Sequence, residues 1–583
     1  MATVMKESGQ GKSKLPESMS FSEFGGINRT KRAEKSGRVL EASDMVNFRV
    51  DAGGTLVKRS GYSKLCEVSG NIRGAWQGMV GGNELLLFAT EQDFYRMKRG
   101  AASAEKIGAL QESGTGKVDF FAYKGNVYVN DGSDFYICNG STLSLVEGYT
   151  PLVKVHCSNY GVSSDYENEN LLSRKVRVQL DIKSGVNVYR LPHEYVGEIL
   201  SVTLNGRKLT PGTDYTIDAS FVIYVYLELV TAPTENISNG CEMVYMLRDN
   251  GERKKLCRCR HSALLNGSEL SAVMLYDGED GRSVYVSKSD ELGHARPDYF
   301  TEEDKFTMIA GAGNVTALIQ QYETVMLFCE RCVYSLRAEN VNDGQGFRHT
   351  VFTPAIVNDE LGCIAPGCAA QLENAPISLT ADGVYRWVST YVSGEKNAKK
   401  ISERVGVLPA AGEDTMLYVS RADGELLVSF GDTIYVYNYL LDAWYRYEGF
   451  GAAGMFDCYG RAAFFSGGAV CLLDGSGDDA GEAIEARFEG LPFELTPVGA
   501  VKNLYRVIVS TLPPEGDVID FSLLTDDGRS ADFKLESSGQ PTWARCRCRM
   551  KHVKSCSVTI GAAGTGGAAV SGFALQYGIG GDR

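Results

Sequence analysis

Apolar residues along this chain fall in runs of about four to six with alternation at their ends, and rarely at the spacing of an amphipathic helix, a rhythm that predicts short β-strands. From residue 73 one pattern recurs: a turn, an apolar run, a polar or glycine turn, and a second run ending in aromatics. It is spelled GNELLLFATEQDFYRM at 82–97, YKGNVYVNDGSDFYIC at 123–138, YETVMLFCERCVYSL at 322–336, ADGELLVSFGDTIYVY at 422–437 and YGRAAFFSGGAVCLLD at 459–474. SAVMLYDGEDGRSVYVSK at 271–288 and APISLTADGVYRWVS at 375–389 follow it more loosely. Each predicts a β-hairpin, and a hairpin cannot bury both faces alone. The expected fold is therefore all-β, with a β-propeller of about six to eight blades. A set of stacked β-sandwiches would show the same short strands. Neither a Gly-His…Trp-Asp repeat nor a kelch pattern is present, and SLTADGVYRW is only distantly similar to a sialidase box.

The rhythm breaks in two places. Between 155 and 255 the text changes to strands joined by clear turns, carrying Leu191-Pro192, Leu204-Asn205-Gly206, Leu209-Thr210 and Tyr215-Thr216-Ile217-Asp218. Asn-Gly marks a tight hairpin, so this block reads as an inserted β-sandwich. From 482 to 583 glycine-ended strands predict a C-terminal β-sandwich. The propeller then occupies 39–154 and 256–481. Residues 1–38 hold eight Lys and Arg against four Glu and few apolar residues, and read as an extended basic N-terminal arm.

Composition narrows the function classes. The 583 residues include 66 glycines against 15 prolines, which suits many tight turns. Fifteen cysteines, an odd number scattered over a long chain, argue for reduced thiols rather than a secreted disulfide framework. The first twenty residues hold no apolar core of a signal peptide, and no run is long and apolar enough for a membrane span, so the expected place of synthesis is the cytoplasm. A formal charge of −14 has the wrong sign for a protein that grips nucleic acid with its whole surface. It suits a surface along which DNA passes without sticking, or simply a solvated one.

The chemistry-bearing spellings each have a plain structural explanation. CRCRMKHVKSC places Cys546, Cys548, Met550 and His552 on one face of a strand and Arg545, Arg547, Arg549 and Lys551 on the other, so alternation accounts for the metal-like spacing. CRCRH at 257–261 reads the same way, with Cys257, Cys259 and His261 inward and Arg258 and Arg260 outward. Cys329-x-x-Cys332 falls on a predicted hairpin turn, without the βαβ context of a redox site. Asp474, Asp478, Asp479 and Glu482 lack the order of a calcium loop. His156, His193, His261, His294, His349 and His552 are scattered, and no nucleophile motif or phosphate loop is spelled. The expectation is no catalytic residue, no metal, no cofactor and no enzyme.

The opening of the chain carries a resemblance. Gly25, Gly26 and Asn28 in FGGIN, then Asp44 and Asn47, then Gly54, Leu56, Arg59, Gly61 and Tyr62 in GTLVKRSGY form a motif. It resembles the first segment of phage virion proteins of the propeller kind, the tail hub or nozzle (packaged-DNA stabilisation) proteins of short-tailed phages. The Leu204-Asn205-Gly206…Leu209-Thr210…Tyr215-x-Ile217 phrasing of the insert is similar to small β modules of phage tail and fibre proteins. The resemblance implies a structural virion subunit, assembled in the host bacterial cytoplasm as a homo-oligomeric ring of six below the portal and adaptor, touching tail fibres or other tail proteins. Its channel would hold packaged DNA and pass it at infection without specific binding. On the residues alone, Asn47–Val50 and Thr55–Arg59 predict a hairpin around Asp51–Gly54 that starts the propeller and can close its ring. Two other readings stay open: a glycan-binding or glycan-degrading propeller with Trp387, Trp444 and Tyr445 at a sugar site, and a minor tail or baseplate protein of a long-tailed phage.

Overall fold

The computed structural model describes residues 16–34, 38–220, 223–267, 270–322, 324–342, 348–388, 398–512, 517–536 and 541–579. Among these the chain is almost entirely β-strand, as the apolar rhythm predicts, with a six-residue helix at Glu252–Cys257 and two 3₁₀ turns.

All seven hairpins recognised in the sequence are present, and each is the middle pair of four antiparallel strands; six of these quartets are separate sheets, while the one at 415–448 runs on through Val39–Val46 into a twelve-stranded sheet. The seven sheets begin with the strands Gly74–Val80, Asp119–Tyr123, His261–Asn266, Val315–Gln321, Ala369–Leu372, Thr415–Ser420 and Gly454–Cys458. Each first strand lies beside the first strand of the next sheet, and Gly454–Cys458 lies beside Gly74–Val80. The seventh sheet borrows its outer strand: Ser63–Glu67 pairs antiparallel with Ala469–Leu472. Side chains such as Leu87, Val129, Met274, Leu327, Ile377, Val428 and Ala463 are fully buried between sheets, because a strand covered on both faces needs apolar residues on both.

Residues 152–247 form a separate two-sheet unit. Lys175–Ile182, Ile237–Leu247 and Val196–Leu204 lie at the centre of one sheet, and Val188–Arg190, Tyr226–Leu229 and Tyr215–Asp218 form the other. Their inward positions, including Val178, Leu180, Val202, Leu227 and Met243, make a core of their own. Asn205 and Gly206 sit at φ of 45° and 77°, the geometry that an Asn-Gly hairpin turn needs.

The C-terminal strands build two further sheets, and the opening of the chain is woven into both. In one, Phe48–Val50, Leu56–Lys58, Ala569–Ile579, Lys502–Thr511 and Thr542–Val553 follow in order, and Glu17–Phe21 pairs with Ala569–Ile579. In the other, Val39–Val46 stands between Ala443–Glu448 of the sixth sheet and Glu482–Gly490, with Glu23–Ile27 parallel to it. Phe21, Phe24, Phe488, Phe493, Phe521 and Phe573 stack in the space between, with ring centroids 4.7 Å apart for Phe21 and Phe493 and 5.1 Å for Phe21 and Phe573.

Two expectations change here. Residues 16–34 of the expected basic arm are paired strands and turns, because Phe21, Phe24 and Ile27 are apolar enough to be buried; Lys6, Lys12, Lys14 and Lys35 lie outside the described residues. The hairpin at 47–59 forms as expected but joins the C-terminal sheet rather than starting the propeller, and the strand that enters the seven-sheet array is the following one, Ser63–Glu67.

Candidate functional site

Asn47 and Arg59 of the opening motif meet in a buried junction where three parts of the chain converge, and the other motif residues lie along the strands and turns that lead to it. Its centre is Arg59, whose side chain is 1% exposed. A guanidinium has five N–H donors in a fixed fork, and all five are used here. Nε donates to Asn47 Oδ1 at 2.9 Å, Nη1 to Asp479 Oδ1 at 2.8 Å and to the Ser60 carbonyl at 3.1 Å, and Nη2 to Asp479 Oδ2 at 2.6 Å and to the Glu448 carbonyl at 3.0 Å. The ring of Phe450 lies under it, 4.4 Å from the guanidinium carbon to the centroid. Burying this charge is tolerable only because it is paired and every donor is matched.

Asn47 supplies the second knot. Its backbone sits at φ 54°, a conformation that asparagine tolerates better than most residues. That turn lets its amide reach three segments: Oδ1 accepts from Arg59 and from the Glu448 N–H at 2.9 Å, while Nδ2 donates to the Glu485 carbonyl at 2.8 Å. Asp44 gathers three arginines, Arg29 at 3.1 Å, Arg446 at 2.8 Å and Arg487 at 3.7 Å. Asn28 is buried and donates to Glu41 at 3.0 Å while accepting from the Thr30 hydroxyl at 2.7 Å.

The glycines permit close approach. A Cβ on Gly61 would stand 1.8 Å from the Asp478 carbonyl oxygen, and one on Gly26 2.5 Å from that of Trp444. Gly25 faces Glu41, and Gly54, at φ 76°, ends the turn in which Asp51 Oδ1 accepts from the Gly53 and Thr55 N–H groups. Leu56 is fully buried, and Tyr62 packs edge-on to Phe464 with centroids 4.9 Å apart, where burial pushes its hydroxyl pKa up. Beside Gly25, Gly26 and Gly54 opens a cavity of about 380 Å³.

The other spellings resolve individually. Cys548 and Met550 point inward and Arg545, Arg547, Arg549 and Lys551 outward, as alternation predicts, with Cys546 half-buried. His552 departs from the row: the register shifts between Leu504↔Met550 and Lys502↔Val553, so Val553 takes the inward place and His552 is exposed at φ 60°. CRCRH is not a strand; Cys257 ends the short helix and His261 starts the next strand, although Cys257 and Cys259 are buried. Cys329 and Cys332 flank a hairpin turn as free thiols. Asp479 pairs with Arg59, while Asp474 and Asp478 accept backbone N–H groups of Ser476 and Gly481, so these carboxylates do not converge. No cluster of metal-binding side chains occurs among the described residues. Trp387 and Trp444 are each 1% exposed and Tyr445 is fully buried, so these rings are core, held by Trp387 Nε1 on Ser378 Oγ and Trp444 Nε1 on the Ile401 carbonyl.

One polar cavity escaped the sequence reading. About 330 Å³ in volume, it is lined by Arg49, Asp423, Glu425, Tyr447, Arg461 and Asp474 among others. Glu425 is buried and accepts from the Tyr445 hydroxyl, and from that of Tyr447 at 3.5 Å. Burial raises its pKa to about 7. Nothing in the spelling GELLVSF marks Glu425, because the hydroxyls that enclose it, those of Tyr445 and Tyr447, come from a strand about twenty residues on.

No protein-family profile matches the chain, and no curated protein does. Solved structures similar to it include the AfRom2 CNH domain, at 9% identity over 71% of this chain and 99% of that one, with a TM-score of 0.36. Another is an exo-beta-1,3-galactanase from Phanerochaete chrysosporium, at 10% identity over 79% of this chain and 95% of that one, with a TM-score of 0.18. At these scores the likeness carries no argument about function.

Proposed function

We propose that the chain is a structural subunit of a bacteriophage tail, a nozzle- or hub-like protein whose seven four-stranded sheets are the blades of a closed propeller. The observation that carries the reading is the junction around Arg59. The residues that resemble the virion family are the ones that tie the opening strands to the sixth sheet and to the C-terminal sandwich, so the motif works as architecture and its polar side chains are spent on structural partners, Asn47 on Arg59, Glu448 and Glu485, and Arg59 on Asp479. Blade closure is supported by the contact of Gly454–Cys458 with Gly74–Val80 and by the borrowed strand Ser63–Glu67. In this reading copies associate into a ring, of six by resemblance, that adjoins portal or adaptor proteins and other tail proteins and surrounds a DNA channel. The protein acts in the virion and is assembled in the host cytoplasm. The test is to probe purified short-tailed virions with an antibody raised against the chain. Labelling at the tail in electron micrographs is expected; its absence from virions, with the protein free in the lysate, overturns the proposal.

A second reading is favoured by the Glu425 cavity: a propeller that binds or cleaves glycans, with a carboxyl of raised pKa beside Asp423 and Asp474. Turnover of a bacterial polysaccharide that disappears in Glu425→Gln would establish it in place of the first.

A further inference from the structure

Among the described residues the strand Thr542–Val553 ends its sheet, pairing with Lys502–Thr511 alone. Its outward positions are Trp543, Arg545, Arg547, Arg549 and Lys551, all exposed, with Trp543 at 68%. Alternate residues of a strand lie about 6.8 Å apart, so the four cations form a line of about 20 Å. Arg506 is exposed on the neighbouring strand directly opposite Arg547, and Tyr505 beside it is 47% exposed. Among the described residues none of these five cations has an ion pair or a side-chain hydrogen bond. Of the described acids nearby, Asp527 holds Arg529, and Asp526 accepts from the Lys554 and Ser555 N–H groups. In a chain of formal charge −14, whose cations elsewhere commonly pair, five free ones on one face call for an occupant.

A charged row on a terminal strand also discourages edge-to-edge aggregation, and that function needs only charge. Four arginines out of five, each presenting a planar fork that matches phosphate oxygens, exceed it. The aromatic rings beside them supply what a phosphate-binding line needs to hold bases as well. We infer that this face binds single-stranded nucleic acid without sequence preference, the arginine row following the phosphates and Trp543 and Tyr505 stacking on bases. The inference stands on the row itself and not on the virion reading; the whole-chain acidity that argues against a general nucleic-acid surface leaves a local stripe intact.

The test uses the full chain and a fluorescent dT20 oligonucleotide, read by anisotropy from 50 to 200 mM salt. Binding is expected at low salt, with a log–log salt slope of about −3, from about 0.7 per neutralised phosphate on a single strand. Arg545→Glu/Arg547→Glu should weaken binding at least tenfold at 50 mM salt while leaving the far-ultraviolet circular dichroism unchanged. If that pair disturbs folding, the milder Arg547→Gln is read instead, and should lower the slope by about 0.7. Trp543→Leu should remove fluorescence quenching on binding. The inference fails if dT20 does not bind at 50 mM salt, or binds equally to a folded variant. It fails too if a 20-base-pair duplex binds more tightly, or if polyglutamate competes as well as dT20, which would assign the row to an acidic protein surface.

Discussion

Arg59 and Asp479 form a buried pair in which truncating one partner strands the other's charge, a change that costs about 3–5 kcal/mol. Arg59→Ala is therefore expected to move the denaturant midpoint strongly downward, and Arg59→Lys to recover little, because an ammonium cannot make the two parallel bonds to Asp479. Gly61→Ala and Gly53→Ala make a matched pair. The first drives a methyl into the Asp478 carbonyl and should cost about 1–3 kcal/mol, whereas the second meets side chains alone, Asp51 at 3.3 Å and Thr55 at 3.9 Å, and should be nearly silent by the same assay. Glu425 gives a pH dependence. Burial lifts its pKa from 4.5 to about 7, so the native state holds the proton more tightly than the unfolded chain does. Its contribution is fully present below about pH 4.5 and fades as pH rises through about 7, by about 3 kcal/mol in all. His193, buried and lowered to about 4, works in the opposite direction between about 4 and 6.5. The comparison that isolates Glu425 is wild type against Glu425→Gln, where the wild-type stability should fall relative to the variant across pH 5 to 7.

At the scale of elements, what the sequence displays is local and what it conceals is remote. Hairpins such as 123–138 were legible because both strands and the turn, with Gly132 at φ 79°, lie within sixteen residues. The row Arg545, Arg547, Arg549 was legible because alternation needs no partner. His552 was not, since the irregular register against Lys502–Thr511 cannot be read from one strand. The hairpin 47–59 was visible, but its owner was not: Leu56 pairs with Val570 more than five hundred residues on. Of the junction, the motif residues were recognised, while Asp479 was singled out only within an acidic cluster and Glu448 and Glu485 carry no distinguishing spelling, since their pairing with residues 47 and 59 spans about four hundred positions. The inserted unit is the element best suited to excision, since it keeps its own core. Leu172 and Asn170, however, lean out of it: Leu172 packs with Tyr128 and Phe300, and Asn170 Nδ2 donates to the Asp298 carbonyl at 2.8 Å. Replacing 152–247 by a short Gly/Ser linker should leave a soluble, folded protein with a lower melting temperature than the parent, whereas removing only 183–236 should cut the unit's sheets and aggregate. Size-exclusion chromatography with thermal melts distinguishes the two outcomes.

For the whole molecule, the strands Glu17–Phe21 and Glu23–Ile27 change what truncation means. Removing residues 1–15 takes away none of the described strands. Removing 1–38 strips Phe21, Phe24 and Ile27 from the C-terminal core and should give aggregation rather than a folded monomer, since large apolar truncations cost about 3–5 kcal/mol each. Equal melts for the two deletions would contradict the woven arrangement. That weave also sets a timetable. Glu17 pairs with Tyr577, Leu56 with Val570 and Cys66 with Val470, so beyond the local pairings of Glu23–Ile27 with Val39–Val46 and of Phe48–Val50 with Leu56–Lys58, the opening strands lack their sheet partners until most of the chain exists. At about 5–20 residues per second, the ribosome takes roughly half a minute or more to make what lies between. The first strands must wait through that interval with Phe21, Phe24 and Leu56 uncovered, while the intervening sheets fold one after another. The opening strands thus complete their sheets last, and a cell that makes this protein must keep its first-made end from sticking until the C-terminal strands arrive.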